Sequence, residues 1–267
     1  EIASCLVGSE MCIRDRLIAA VLIQVIFFIP SFLLKTEKYY DLVGSLTYVI
    51  IISLAYFAVE NKTTIDSIIY IYVMIWASRL GIYLFRRVQK DGKDVRFEKA
   101  KTHFFWFLQY WMGQALWVSL TACAAIIAIL SPEEDSLPVL AMLGMALWLT
   151  GFTIESISDY QKRVFRKENN PSKSFIHTGL WAQSRHPNYF GEITLWTGIA
   201  IIALNTLAGI EYITLISPVF VYILLTRMSG VNLLERIADE RYGELEEYQR
   251  YKKNTPVLIP KLSKDKN

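Results

Sequence analysis

The stretch "FFWFLQYWMGQALWVSLTACAAIIAIL" (Phe104–Leu130) contains no charged residue and is longer than the roughly 20 apolar residues that a helix needs to cross a bilayer. Further apolar windows lie on both sides of it, near residues 17–35, 41–59, 65–85, 137–157, 189–208 and 210–229. We therefore expect an all-α, polytopic membrane bundle of about seven transmembrane helices, with six or eight as open alternatives.

The composition supports a membrane protein with substantial polar loops. Of the 267 residues, 53% are hydrophobic and 20% are charged, which is too apolar for an ordinary soluble domain and too charged for a bare set of spans. The three cysteines, Cys5, Cys12 and Cys123, have no metal-ligand spacing, so we expect no metal site. We also expect no nucleic-acid partner.

The charges of the connecting loops predict the orientation. The loops Arg86–His103 and Ser158–Asn188 and the tail after Tyr251 are basic, whereas the connection Ser131–Ser136 is acidic. By the positive-inside rule, both basic loops and the C-terminus face the cytoplasm. Seven spans with the N-terminus outside satisfy this arrangement.

The N-terminal stretch "CLVGSEMCIRDR" (Cys5–Arg16) resembles translated sequencing adapter. We expect residues 1–16 to be non-native and exclude them from the fold argument. Residues 17–267 then form one membrane-embedded domain.

Ionisable residues inside predicted spans mark sites or buried pairs, because a charge at membrane depth is costly. Arg79, Glu155 and Glu192 all lie toward the inferred cytoplasmic ends of their spans, where they could line one shared cavity. Snorkelling to the interface and structural salt bridges are the alternatives.

The stretch "SRHPNYFGEI" (Ser184–Ile193) places dense polarity directly before an apolar run. Pro187 and Asn188 suit the start of a helix, whose free backbone N–H groups and positive dipole end form an anion site. The alternative is a helix cap with interfacial anchors.

Three separated motifs carry a family resemblance. "SDYQKRVFRK", "GLWAQSRHPNYFGEITLWTG" and "LLTRMSGVNLLERIADERYGELEEYQRYKKNTPVLIP" together resemble the bacterial DUF1295 branch of the steroid 5-alpha-reductase superfamily, as do "WASRLGIYLFRR" and "GKDVRF". The resemblance implies a reductase in a bacterial inner membrane that uses NADPH to saturate a carbon–carbon double bond. A distant arm, the isoprenylcysteine carboxyl methyltransferases, binds S-adenosylmethionine and carries a similar "RHPxYxG" motif.

Charge favours the reductase arm. NADPH carries a pyrophosphate and a 2'-phosphate, so its site needs several cationic side chains, whereas S-adenosylmethionine carries one carboxylate. One predicted cytoplasmic loop supplies such cations: Lys162, Arg163, Arg166, Lys167, Lys173 and Arg185. Glu192 also matches the reductase pattern "NxxGE". A methyltransferase, and a lipid-binding protein without activity, remain the alternatives.

The resemblance implies a cytoplasm-facing cofactor pocket built mainly from residues 150–260. Arg185 and His186 would contact phosphate or ribose, Asn188 and Glu192 would hold the carboxamide or ribose, and Tyr189 would offer a stacking face. Asp94 and Arg96 would clamp the nucleotide or pair with each other. The full set of cofactor-binding candidates is Arg79, Asp94, Arg96, Asp159, Lys162, Arg166, Arg185, His186, Asn188, Tyr189, Glu192, Arg227, Arg236, Tyr248 and Tyr251.

The sequence departs from the steroid reductases at the substrate. Those enzymes polarise the substrate ketone with a glutamate and a tyrosine, but the N-terminal half here has no "QE" pair, and Trp76 occupies the tyrosine position. A neutral tyrosine or a protonated carboxylic acid could donate the hydrogen bond instead. The candidates are Tyr72, Gln109, Tyr110, Gln114 and Glu155. We expect a hydrophobic substrate, such as a lipid or steroid-like enone, and membrane lipids as partners.

Overall fold

The computed structural model describes residues 2–92, 94–131, 136–170, 174–228 and 230–261, and the side chains of these residues except 2–13, 91 and 95. Every regular element in these ranges is helical, which confirms the all-α prediction. The helices are α1 (Ile2–Leu33), α2 (Tyr40–Ala58), α3 (Thr64–Asp91), α4 (Phe104–Leu130), α5 (Val139–Glu168), α6 (Pro187–Ala203), α7 (Ile216–Ile223), α8 (Val231–Tyr242) and α9 (Glu246–Asn254).

Short 3-10 turns and one π-helical segment complete the chain. The 3-10 turns cover Val95–Phe97, Ala100–Thr102, Gly179–Ala182 and Gly209–Leu215. The π-helical segment, Leu224–Met228, follows α7 directly. Such segments are rare and are often found at functional sites.

Six helical stretches of the described residues are long and apolar enough to cross a membrane. They are Arg14–Leu33, Tyr40–Ala58, Thr64–Lys90, Phe104–Leu130, Val139–Glu168 and Gly209–Tyr242. The polytopic bundle is therefore confirmed. The difference from the predicted count of about seven arises at α6, which has 17 residues and lies at the lower limit of spanning length.

Local sequence signals explain several helix ends. Thr63 and Asp66 form a capping box at the start of α3, and Gly92 ends that helix in the left-handed region with φ of 77°. Helix α5 continues to Glu168, beyond the predicted end at residue 157. Arg166 and Lys167 stabilise its extended last turn through the helix dipole.

The chain forms two compact units. Unit 1 comprises Glu1–Met142 and Ala200–Ser217, and unit 2 comprises Leu143–Ile199 and Pro218–Asn267.

Aromatic side chains fill the core of unit 1. Tyr40, Phe97, Phe107 and Trp111 are buried together with Phe28. The ring centroids of Tyr40 and Phe97 lie 4.7 Å apart, and the Tyr40 and Trp111 rings meet edge to face at 5.3 Å. Edge-on aromatic packing of this kind stabilises a core beyond the area that it buries.

Glycines bring α5 and α6 into backbone contact within unit 2. A Cβ atom on Gly191 would lie 2.6 Å from the Gly151 carbonyl oxygen, and one on Gly198 would lie 2.6 Å from the Gly144 carbonyl oxygen. The two contacts lie two helical turns apart on each helix, so both are on the same line of contact between α5 and α6. Helices in membranes approach this closely only where small residues face each other.

Candidate functional site

The C-terminal segment holds the loop before α6 in place. The Ser184 hydroxyl donates a hydrogen bond to the Leu258 carbonyl at 2.7 Å and accepts one from the His186 backbone N–H at 3.2 Å. The Arg185 backbone N–H donates to the Pro256 carbonyl at 2.9 Å. The loop that carries the predicted cofactor residues is therefore rigidly anchored in unit 2.

Glu235 of α8 binds both basic residues of this loop. Its Oε1 lies 2.9 Å from His186 Nε2, and its Oε2 lies 2.9 Å from Arg185 Nη1. Lys252 Nζ is 4.0 Å from Glu235 Oε2 and forms a closer pair with Asp239, at 2.5 and 2.7 Å. The result is one network of alternating charges that joins the loop to α8 and α9.

Burial favours the neutral form of the His186 ring. Desolvation lowers the pKa of His186 below its ordinary value, and the hydrogen bond to Glu235 only partly opposes that effect. The positive charges of Lys162 and Arg185 lower the pKa further.

Two tyrosines of α9 contact this part of unit 2. Tyr248 donates to Asp239 Oδ1 at 3.0 Å, and Tyr251 donates to the Trp181 carbonyl at 2.7 Å. Burial raises the pKa of both tyrosines, so they remain neutral donors. Phe175 packs its ring against both.

The predicted cofactor-binding cations of unit 2 divide into two groups, and Lys173 of the predicted basic loop lies outside the described residues. Arg185 is paired with Glu235, and the Lys162 ammonium lies 4.5 Å from the centre of the Trp181 ring. Another three lie on exposed surface of α5, the π-helical segment and α8, namely Arg166, Arg227 and Arg236.

Three carboxylates of α5 and α6 are buried. Glu155, Asp159 and Glu192 are 2%, 4% and 8% exposed. Glu155 and Asp159 share one face of α5 because they are four residues apart. A Cβ on Gly191 would lie 2.9 Å from the Glu155 Cβ, so the absence of a side chain at Gly191 brings Glu155 against the first turns of α6.

The π-helical segment meets the start of α6. Gly230, just after this segment, leaves no space for a side chain, because its Cβ would collide with the Leu225 carbonyl and lie 2.8 Å from Tyr189 Cε2. The Tyr189 ring stacks on His186 with centroids 5.6 Å apart and planes at 9°. Tyr189 is thus held between His186 and the backbone at Gly230.

Unit 1 contains the remaining predicted residues. Arg96 pairs with Asp94 at 2.7 Å and with Asp41 at 3.2 Å, and the Asp94 backbone N–H donates to Glu37 Oε1 at 3.0 Å. Burial opposes ionisation of Asp94, but the hydrogen bonds and charge of Arg96 outweigh it and lower the pKa of Asp94. Of the two roles predicted for Asp94 and Arg96, the structure shows the mutual pair.

A cavity of about 460 Å³ in unit 1 brings together two of the catalytic candidates. Gln109 and Tyr110 line it with Trp106, Lys99 and Arg96. The other candidates of unit 1 lie elsewhere in it: Tyr72 and Arg79 are on α3, and Gln114 lies against Gly44.

Glu235, Asp239 and Lys252 are not among the residues predicted from the sequence. Glu235 and Asp239 share a face of α8, four residues apart, which is a weak signal because the C-terminal segment contains many charges. The His186–Glu235 hydrogen bond spans 49 residues, and no local pattern predicts it.

A family model described as "Protein of unknown function (DUF1295)" matches residues 27–255. No solved structure matches the chain.

Curated relatives share the name 3-oxo-5-alpha-steroid 4-dehydrogenase 1. The Mus musculus protein is 31% identical over 121 residues, which cover 45% of this chain and 42% of the relative. The Homo sapiens protein is 27% identical over 121 residues, covering 45% and 41%. The Bos taurus protein is 37% identical over 60 residues, covering 22% and 23%. The chain thus spans less than half the length of the curated relatives it matches.

Proposed function

The chain belongs to the DUF1295 family, and we propose that it is a membrane-embedded reductase that uses NADPH to saturate a carbon–carbon double bond in an apolar, carbonyl-conjugated lipid. The likeness to 3-oxo-5-alpha-steroid 4-dehydrogenases supports the reaction class. One structural observation carries the proposal. The glycine contact in unit 2 places buried Glu155 beside the first turns of α6, where Asn188 and Glu192 lie.

The polar groups of unit 2 support a dinucleotide as the ligand. The buried His186 Nδ1 has no hydrogen-bond partner among the described residues, so a polar ligand atom can satisfy it. Asn188 and Glu192 would hold the carboxamide or ribose of NADPH at the start of α6. The exposed Arg166 and Arg236 offer the charge that a 2'-phosphate requires. When bound, NADPH supplies the hydride.

The chain's own contribution to the reaction is orientation and electrostatics. A protonated Glu155 would donate a hydrogen bond to the substrate carbonyl and stabilise the negative charge that develops there. Among the candidates for this role, Glu155 is the one in the same unit as Asn188 and Glu192. Tyr72, Gln109 and Tyr110 belong to unit 1, where Gln109 and Tyr110 line the cavity of about 460 Å³.

The apolar surface of the protein supports an apolar substrate. Because the described spans would lie in lipid, the substrate would reach the protein from the membrane rather than from water. We therefore propose a lipid or steroid-like enone, bound in a membrane with the basic loops and the C-terminus on the cytoplasmic side.

Turnover of NADPH with a panel of lipid enones tests this function. Loss of NADPH absorbance by the purified protein in the presence of one class of enone is the expected result. Glu155→Leu should lower kcat by about 10²–10³-fold while NADPH still binds, because it removes a donor to the developing charge. Glu155→Gln should retain part of the rate, since its amide N–H can still donate.

A control on the same helix separates chemistry from folding. Glu168→Gln alters an exposed carboxylate at the end of α5 and should leave kcat unchanged. Full activity of Glu155→Leu would remove Glu155 from the mechanism. Methyl transfer from S-adenosylmethionine to a lipid acceptor, without NADPH oxidation, would replace the proposed function.

A further inference from the structure

Contacts on more than one side hold the His186 ring. The residue is 5% exposed, its ring stacks on Tyr189, and its backbone N–H donates to the Ser184 hydroxyl. Rotation of the ring would exchange the positions of its two nitrogens and break the contact of Nε2 with Glu235. The two nitrogens therefore have different surroundings.

Glu235 determines which nitrogen carries the hydrogen. An ionised carboxylate only accepts hydrogen bonds, so the 2.9 Å contact with Glu235 Oε1 requires a hydrogen on His186 Nε2. Arg185, at 2.9 Å from the other carboxylate oxygen, and Lys252, at 4.0 Å, keep Glu235 ionised.

The second nitrogen, Nδ1, is then an acceptor. It is buried, and among the described residues it has no hydrogen-bond partner. Among the described residues, Glu235, Arg185 and Lys162 act electrostatically on the ring and Tyr189 stacks on it, and the two cations oppose a positive charge on the imidazole. A hydrogen on Nδ1 would also be buried without an acceptor, which is costly.

The geometry points to Glu235 as a positioning residue that fixes His186 in the Nε2–H tautomer, so that Nδ1 accepts a hydrogen bond from a hydroxyl or amide N–H of the bound ligand. This inference rests on the proposed function for the identity of the ligand, whose ribose hydroxyls and carboxamide are such donors. Of the two partners expected for His186 from the sequence, phosphate and ribose, this tautomer favours the ribose, because an acceptor nitrogen binds a neutral donor whereas a phosphate would require a cation.

Nitrogen NMR of the histidine side chains tests the tautomer without any ligand. The chain has three histidines, and ¹⁵N-histidine labelling with His103→Gln and His177→Gln would assign the signals of His186. At about pH 8, above the ordinary histidine pKa, we expect a pyrrole-type signal for Nε2 and a pyridine-type signal for Nδ1. The reverse pattern in the native protein would overturn the inference.

Glu235→Leu tests the positioning role, because it leaves the Nε2 hydrogen without an acceptor, whereas the amide oxygen of Glu235→Gln can still accept it. Glu235→Leu should populate both tautomers and bind NADPH about tenfold more weakly, whereas Glu235→Gln, and Glu240→Gln at an exposed position of the same helix, should keep the Nε2–H tautomer. An unchanged tautomer in a folded Glu235→Leu protein would contradict the role of Glu235.

Ligand titration tests the acceptor role. Addition of NADPH should move the His186 Nδ1 signal toward that of a hydrogen-bonded acceptor. Binding of NADPH without any change at Nδ1 would overturn this role while the proposed function survives. If neither NADPH nor S-adenosylmethionine binds, both the proposed function and the acceptor role fail. The tautomer of His186 is still decided by the spectrum of the ligand-free protein.

Discussion

Gly191→Ala should separate α5 from α6 at the buried carboxylates. A Cβ at this position would lie 2.6 Å from the Glu155 backbone N and from the Gly151 carbonyl oxygen, and 2.9 Å from the Glu155 Cβ. The first two of these atoms belong to helix backbone, so no side-chain rotation relieves the collision. The helices themselves must move apart.

The expected cost follows from overpacking. Inserting a methyl group into a closely packed contact typically costs about 1–3 kcal/mol. For a chain of this size each kcal/mol lowers the Tm by about 2–4 °C. We therefore expect a loss of several degrees in thermal unfolding of the detergent-purified protein, together with weaker NADPH binding, because Glu192 is the next residue.

Two glycine substitutions serve as controls. Gly113→Ala lies in α4 with no atom within 4 Å of the new Cβ, and it should stabilise the helix by about 0.5–1 kcal/mol. Gly198→Ala collides equally with α5, 2.6 Å from the Gly144 carbonyl oxygen, but two turns away from Glu192. It should lower the Tm with less effect on NADPH affinity. A Gly191→Ala protein with native Tm and native affinity would refute the close contact.

Three further perturbations test other parts of the structure. Tyr251→Phe removes the hydrogen bond to the Trp181 carbonyl and should reduce the free energy of unfolding by about 0.5–1.5 kcal/mol, measured by denaturant titration; no loss would contradict that contact. Arg96→Lys loses the planar fork that binds Asp94 and Asp41 at once, so the Tm should fall, whereas exposed Lys99→Arg should be neutral. The pKa of His186 is lower in the folded protein than in the unfolded chain, so the unfolded chain binds more protons as the pH falls through about 6.5. The free energy of unfolding should therefore decrease below that pH. His186→Gln should remove this part of the decrease.

The apolar pattern predicted the helices of unit 1 well. The predicted span 104–130 coincides with α4 (Phe104–Leu130), because charged residues precede the apolar run and the acidic sequence "SPEEDS" follows it. The end of α5 was not predictable from hydropathy alone, since its last three turns are polar and continue the helix outside the apolar window. Hydropathy identifies the apolar part of a helix, whereas the helix itself can continue into polar sequence.

The sequence predicted several residues of the site but not the contacts between them. The local motif identified Arg185, His186 and Glu192, which the structure places within or beside the first two turns of α6. The partner Glu235 could not be predicted, because its hydrogen bond to His186 connects residues far apart in sequence. Several predicted roles, including those of Asn188 and Glu192 toward a cofactor, remain predictions.

Variants of the α6 motif connect these residues to the cofactor. Glu192→Gln and Asn188→Ala should both weaken NADPH binding in folded protein, because each removes a polar contact of about 0.5–3 kcal/mol. Glu240→Gln, which changes an exposed carboxylate of α8, is the matched control. Native affinity in both motif variants would contradict the assignment.

Thermal unfolding of the detergent-purified protein, titrated separately with NADPH and S-adenosylmethionine, tests the central claim most directly. A ligand at one hundred times its dissociation constant adds about 2.7 kcal/mol to the stability of the folded state. We expect a higher Tm with NADPH and an unchanged Tm with S-adenosylmethionine. A higher Tm with S-adenosylmethionine alone would contradict it and indicate a methyltransferase.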